Sequence, residues 1–285
     1  MALQLRGQTF TGPVVMAIIN RTPDSFFDRG RTFEWEKAVA AVDAAVAEGA
    51  QIVDIGGVRA GPGAEVDAAE EIRRTESVVA AIRERHPEIV ISVDTWRAEV
   101  GRALAAAGAD LLNDAWGGYD PHLAQVAADT GIGLVCTHAG GLPPRTKPHR
   151  SAYEDVTGEV VRYLTELAGR AVDLGVRRDS ILIDPAHDFG KNTRHSLTVT
   201  RELGRLVETG WPVLVALSRK DFVGESLDLP VEERLEGTLA ATAVSAWLGA
   251  QVFRTHDVRA TRRVLEMVAT VRGDRQPAVS VRGLA

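Results

Sequence analysis

Cysteine is almost absent from this chain: Cys136 stands alone among 285 residues, so no disulfide can form within it. A lone cysteine excludes a disulfide-stapled secreted scaffold and leads us to expect a reducing, cytoplasmic setting. Cys136 itself reads as a small buried apolar residue and not as a nucleophile. Lysine is scarce too. Of 33 basic residues only Lys37, Lys147, Lys191 and Lys220 are lysines, the rest being arginine. Arginine would serve a surface role equally well, so a lysine at a suspected site is the more informative choice. Positive charge is not in excess either. The net charge is -6, which argues against a nucleic-acid partner and leaves room only for a local anion site. No stretch approaches the roughly 20 apolar residues of a membrane helix, and residues 1–10 hold no signal-peptide core. No membrane partner is therefore expected. No Pro/Ser/Gly-rich linker divides the chain, and one domain over residues 1–285 is expected.

What the sequence does hold is regular alternation. Eight short apolar runs, rich in Val, Ile and Leu, cover residues 14–20, 51–57, 90–95, 111–115, 133–138, 181–185, 213–218 and 251–256. Such runs suit strands buried on both faces. Between them lie amphipathic stretches at 35–48, 68–85, 97–107, 121–130, 153–174, 193–209, 231–248 and 259–271. Eight consecutive βα units predict an α/β fold, a single closed (β/α)8 TIM barrel. An open doubly wound sheet is the alternative, disfavoured because no G-x-G-x-x-G follows the first strand. Residues 3–12 read as a short N-terminal hairpin, turning at Arg6–Gly7, that could close the barrel floor. Three connections are long, at 21–33, 58–67 and 139–152. All three follow strands, which puts them at the face where barrels carry their sites.

Every apolar run ends in a polar group: Asn20, Asp54, Asp94, Asn113 with Asp114, Thr137 with His138, Asp184, Ser218 with Arg219 and Lys220, and Arg254 with His256. In a barrel these points converge on one mouth. Buried carboxylates are costly without donors, so Asp54, Asp94 and Asp184 call for a donor-rich heterocycle. Arg219, Lys220, Arg254 and His256 come from the last two strands, where barrels often hold a phosphate. The mouth thus reads as an anion site beside a pocket of acceptors. Asp184, His187 and Asp188 raise the question of a metal, but no third and fourth ligands are evident, and His187 reads as a loop residue. The basic stretch from Arg145 to Arg150 reads as a solvated lid that could also draw an anion.

Several stretches resemble the dihydropteroate synthase family: Ala17-Ile-Ile-Asn-Arg-Thr-Pro-Asp-Ser-Phe26, Ile52-Val-Asp-Ile-Gly-Gly57, Ile91-Ser-Val-Asp-Thr95, Leu112-Asn-Asp114, Leu217-Ser-Arg-Lys-Asp-Phe222, Glu233-Arg-Leu-Glu-Gly-Thr238 and Arg254-Thr-His-Asp257. Together and in order they span nearly the whole chain. The resemblance implies a homodimeric barrel that joins p-aminobenzoate to a dihydropterin methyl diphosphate with magnesium. By position it implies Asp94, Asn113, Asp184 and Lys220 as pterin contacts. Arg254 would stack on the ring and, with His256, face the diphosphate. Lys220, Arg254 and His256 would be the catalytic group, and Asn20 would meet the metal end. Sulfonamide or sulfone analogues of p-aminobenzoate are further expected ligands.

Two loops depart from the family pattern. Where the family reads Glu-Ser-Thr-Arg-Pro-Gly, this chain reads Val58-Arg-Ala-Gly-Pro-Gly63, with Ala60 and Gly61 at the threonine and arginine positions. Arg59 lies two residues away, roughly 7 Å in an extended loop. Where the family reads Gly-Ile-Gly-Phe-Gly-Lys, this chain reads Ala186-His-Asp-Phe-Gly-Lys191, so two glycines become Ala186 and Asp188. The expectation is a homologue that keeps the pterin pocket with weak or absent synthase activity. An active synthase, or a pterin-binding barrel of methyltransferase or non-catalytic type, are the alternatives.

Overall fold

The computed structural model describes residues 2–22, 34–141, 143–146 and 152–283. Ten strands are present among them. Strands β1 (Leu3–Leu5) and β2 (Gln8–Phe10) pair antiparallel. Their turn places Arg6 and Gly7 at φ 49° and 68°, two successive left-handed residues whose twist matches a tight hairpin. The other eight are β3 (Val14–Asn20), β4 (Ile52–Gly56), β5 (Val90–Asp94), β6 (Leu111–Asp114), β7 (Gly133–Thr137), β8 (Ile181–Asp184), β9 (Leu214–Ala216) and β10 (Val252–Thr255). They form one parallel sheet in the order β8-β7-β6-β5-β4-β3-β10-β9. A parallel bridge between Ile183 and Val213 brings its two edges together, and the Ile183 amide donates to the Pro212 carbonyl at 2.9 Å. The expected TIM barrel with its N-terminal hairpin is the observed architecture.

The apolar residues divide into two cores. Met16, Ile52, Val90, Leu111, Val135, Leu182, Leu214 and Val252 fill the barrel interior with Leu3, Leu5 and Phe10 of the hairpin, so the hairpin plugs the floor. The larger core lies between the sheet and the helices, with Val53, Ile55, Ile91, Val93, Leu112 and Ile183 on the outer strand faces. Side chains alternate faces along a strand. Two residues beyond six of these eight interior strand residues stands a polar one: Asp54 after Ile52, Ser92 after Val90, Asn113 after Leu111, Thr137 after Val135, Asp184 after Leu182, Arg254 after Val252; Ile18 after Met16 and Ala216 after Leu214 stay apolar. The apolar layer supports a polar one directly above it.

Helices α1 (Trp35–Glu48), α2 (Ala68–Arg85), α3 (Ala98–Ala106), α4 (His122–Thr130), α5 (Val156–Asp173), α6 (Thr193–Arg201), α7 (Gly204–Val207), α8 (Asp221–Leu227), α9 (Leu235–Trp247) and α10 (Val258–Arg272) surround the sheet. Their starts follow capping chemistry: Asp67 accepts from the Glu70 amide at 2.7 Å and Asp155 from the Gly158 amide at 2.8 Å. The stretch expected as one helix over 193–209 is two, interrupted at Glu202 and Leu203. Helix α8 was not expected. At seven residues it is too short to show a period of its own.

Helix α9 presents an inverted pattern. Its buried side carries Thr238, Thr242, Ser245 and Ala246, while Val244 and Trp247 are 49% and 57% exposed. On α10, packed beside it, Met267 and Val271 are more than 60% exposed. Among the described residues no helix is long and apolar enough to cross a membrane.

Candidate active site at the barrel mouth

The polar layer forms one network. Asp54 is fully buried, and all its donors are the protein's own: Ser92 Oγ at 2.5 Å, Asn113 Nδ2 at 3.1 Å and Arg254 Nε at 2.6 Å. This corrects the expectation that Asp54 awaits a ligand. Arg254 Nη2 also donates to Asp94 Oδ2 at 2.9 Å. Asp94 keeps 22% of its side-chain surface open. Burial pushes its carboxyl up to about 7 despite the Arg254 guanidinium, and the nearby Asp54 charge adds to that rise. Asp184 accepts from the Ala186 amide at 2.7 Å. Burial raises its pKa, opposed by the Lys220 ammonium.

Lys220 leaves the end of β9 and donates to the His187 carbonyl, with its Nζ 4.9 Å from the centre of the Phe189 ring. Burial lowers its pKa, opposed by Asp188 and Asp184. Asn20, Asp94, Asn113, Asp184, Lys220, Arg254 and His256 all line one cavity of about 130 Å³. The structure therefore brings together the residues that the family resemblance singles out by position.

Several strand-end residues are engaged by the protein itself. Arg219 is buried and holds Asp257 through two bonds of 3.0 Å, with further bonds to the Val231 and Glu232 carbonyls. It ties the end of β9 to the entry of α9 and is spoken for as an anion ligand. Asp114 accepts from the Trp116 and Gly118 amides and shapes the loop carrying Trp116; burial raises it to about 6. His138 meets Lys191 Nζ at 2.8 Å through its Nδ1, and burial with that ammonium depresses it to about 3. His256 bonds Ser218 Oγ at 2.9 Å through Nδ1. Burial, aided by Arg254 and Arg219, lowers it to about 3, so it stands in the cavity as a neutral imidazole. The anion site read from sequence is thus a charge-compensated network.

A second, outer pocket of about 280 Å³ adjoins the first and shares Arg59, Ala60, Phe189 and Lys220 with it. Trp116 and Phe189 form its apolar wall, edge to face at 5.3 Å. Both departing loops reach it, through Ala60, Gly61 and Asp188. Arg145 clips the first loop in place, donating to the Gly61 carbonyl at 3.2 Å and the Ala64 carbonyl at 2.7 Å. The remainder of that basic stretch, Lys147 to Arg150, lies outside the described residues, as does the motif beyond Thr22 and the rest of the 21–33 connection.

The second departing loop keeps a backbone suited to glycine without the glycines. Ala186 and Asp188 sit at φ 49° and 70°, a region that costs an alanine roughly 1–2 kcal/mol. Lys191 fixes this turn from beneath, donating to the Phe189 carbonyl at 3.0 Å and the His138 carbonyl at 2.9 Å. Its burial lowers it to about 7. His187 lies in the loop, as read from sequence, and its side chain is fully buried, with Nε2 3.0 Å from Thr200 Oγ1. Sequence reasoning missed Trp116 as a pocket wall and the pairing of Lys191 with His138. The scarcity of aromatics and lysines was the available signal for both. Among the described residues no group of three His, Cys, Asp or Glu is arranged to hold a metal.

A parallel barrel whose mouth carries polar side chains two residues above an apolar floor suits a small-molecule site, and residues 16–256 match the pterin binding enzyme family. The inactive dihydropteroate synthase 2 of Mycobacterium leprae is 57% identical, with 95% of each chain covered. The dihydropteroate synthase of Escherichia coli is 38% identical, with 90% of each covered. Among solved structures, the Yersinia pestis dihydropteroate synthase in a sulfonamide drug complex superposes with a TM-score of 0.90 at 34% identity, covering 96% of this chain and 100% of that one. The Xanthomonas albilineans enzyme with 4-aminobenzoic acid gives 0.86 at 38%, covering 98% and 99%. The chain belongs to the dihydropteroate synthase family, as a divergent member nearer to the inactive mycobacterial homologue than to the Escherichia coli enzyme.

Proposed function

We propose that the chain binds a pterin in the inner cavity and turns over little or no p-aminobenzoate. The observation that carries this reading is the contrast between the two pockets. The inner one keeps Asp94, Asn113, Asp184, Lys220 and Arg254 on one lining. The outer one is walled by Ala60, Gly61 and Asp188, where the sequence departs from the synthase pattern. Asp94 and Asp184 would accept from the N–H groups of the ring, and Asn113 and Lys220 would fix its orientation. Arg254 would lie against the ring, held by Asp54 and Asp94. Synthase chemistry further needs charge stabilisation at a departing diphosphate, and one missing donor of that kind costs roughly 10²–10³ in rate. His256, neutral here, supplies a hydrogen bond and no charge.

Magnesium enters the reading only with a diphosphate-bearing ligand. Asn20 offers one carbonyl oxygen at the mouth, and magnesium usually completes its shell from substrate phosphates and water. No step here depends on the ion. The apolar outer faces of α9 and α10, with Val244, Trp247, Met267 and Val271, support a homodimer packed through these helices, and the full chain is read as one pterin-binding domain. The function is tested by calorimetry with the pterin diphosphate and p-aminobenzoate separately, alongside complementation of cells lacking a synthase. Pterin binding without complementation is expected; full complementation would overturn the reading.

A further inference from the structure

The outer pocket is large enough for an aromatic ring and has an aromatic wall, yet its lining is ill suited to an added carboxylate. Asp188 decides this. It stands at φ 70°, where glycine is unstrained and aspartate is among the few tolerated alternatives. Its carboxylate is put to use there. Oδ2 accepts from the Phe222 amide at 3.2 Å and Oδ1 from Ser196 Oγ at 3.2 Å, and its charge opposes the lowering of the Lys220 pKa by burial. Along the same wall Asp221 takes Arg234 at 2.9 Å, and Arg219 is held by Asp257. Arg59, the other cation of the lining, has an interaction of its own. An incoming carboxylate would find the Phe222 amide taken and Lys220 donating to the His187 carbonyl, and would meet Asp188 as a like charge in a partly desolvated wall, which disfavours both anions.

We propose that the outer pocket selects an uncharged aromatic amine over an aromatic carboxylate, with Asp188 as the residue that sets this preference. The proposal rests on the reading that the outer pocket receives the second ligand. A neutral aryl group keeps the contacts with Trp116 and Phe189 and places no anion beside Asp188. The benzoate and its amide have nearly the same shape, so the difference between them isolates the charge.

The test is calorimetry on the full chain with p-aminobenzamide and with p-aminobenzoate, each with and without the pterin diphosphate, which is also titrated alone. The amide is expected to bind about tenfold or more tightly than the benzoate. In Asp188→Asn the benzoate should gain until the two agree within about threefold. Asp188→Gly, which also relieves the backbone, should do the same and guards against a folding defect in the first variant. Equal or tighter benzoate binding by the unmodified chain overturns the proposal. So does a preference that survives both variants, or binding of neither amine. Failure of the pterin diphosphate to bind, with the amide preference intact, would instead sink the pterin reading and leave this one standing.

Discussion

Replacing Asp94 by asparagine separates charge from shape at the centre of the cavity. Asp94 shares Arg254 with Asp54, and its burial holds the carboxyl at about 7. A ligand that donates N–H groups favours the ionised form, so binding should be full above that value and weaken as pH falls through it. Between pH 8 and pH 6 the ionised fraction drops about tenfold, and affinity for a pterin should drop by about the same factor. Asp94→Asn removes the charged acceptor and adds a donor. The lost charged hydrogen bond is worth on the order of 1.5–3 kcal/mol, or roughly 10- to 150-fold in affinity at pH 8. The variant should also lose the pH dependence near 7, which makes it its own control. Stability should move the other way. A carboxyl whose folded pKa is raised costs the fold when ionised, so stability should rise as pH falls from 8 towards its ordinary value near 4. The asparagine variant should therefore melt no lower than the parent at pH 8. Calorimetry at pH 6, 7 and 8 with thermal unfolding checks all three points. A flat affinity profile in the parent, or equal affinity in the variant, would refute the assignment of Asp94 as a ring acceptor.

Restoring Ala60→Thr with Gly61→Arg should raise synthase turnover if the first loop is the main defect. A Cβ added at Gly61 would stand 3.4 Å from Arg59 Nε, an ordinary van der Waals contact; unchanged turnover would move the block to Ala186, His187 and Asp188. Arg219→Met should destabilise the fold by roughly 3–5 kcal/mol, because Asp257 would lose its buried partner. Urea unfolding reads this, and a loss under about 1 kcal/mol would contradict the structural role assigned to Arg219. Trp247→Glu should convert the expected dimer to a monomer in sedimentation at micromolar concentration. A parent chain that sediments as a monomer would remove the interface through α9 and α10.

Much of the fold was legible in the sequence because a buried parallel barrel demands near-continuous apolar strands at regular spacing. Runs such as 90–95 and 111–115 could hardly be anything else once eight occurred in a row. The cavity residues were legible for a related reason. Carboxylates such as Asp94 and Asp184 at the ends of apolar runs must find donors, and a barrel sends them to one mouth. Direction was harder to read. Asn113 faces the cavity and Asp114 the loop, because neighbouring strand residues project to opposite sides, while Arg219 and Lys220 stand beyond β9 in a turn where no such alternation holds. Counting in steps of two from Leu111 or Val135 would have separated Asn113 from Asp114 and Thr137 from His138. Charge pairing was beyond the sequence altogether. Nothing in the local order of residues says that Arg254 lies across Asp54 and Asp94, 200 and 160 positions away. Nor does it say that His256 is buried to neutrality. The left-handed backbone at Ala186 and Asp188 was visible only as two missing glycines.

The central claim is that binding and turnover have come apart in this chain. It is tested most directly by loading the protein with the pterin diphosphate at a concentration its own titration shows to be saturating, adding p-aminobenzoate, and measuring diphosphate release in a single turnover beside an active family member. The account predicts a saturable pterin titration with release slower than that of the active enzyme by a factor of roughly 10² or more. Release at the rate of the active enzyme, or no pterin binding at all, would contradict it.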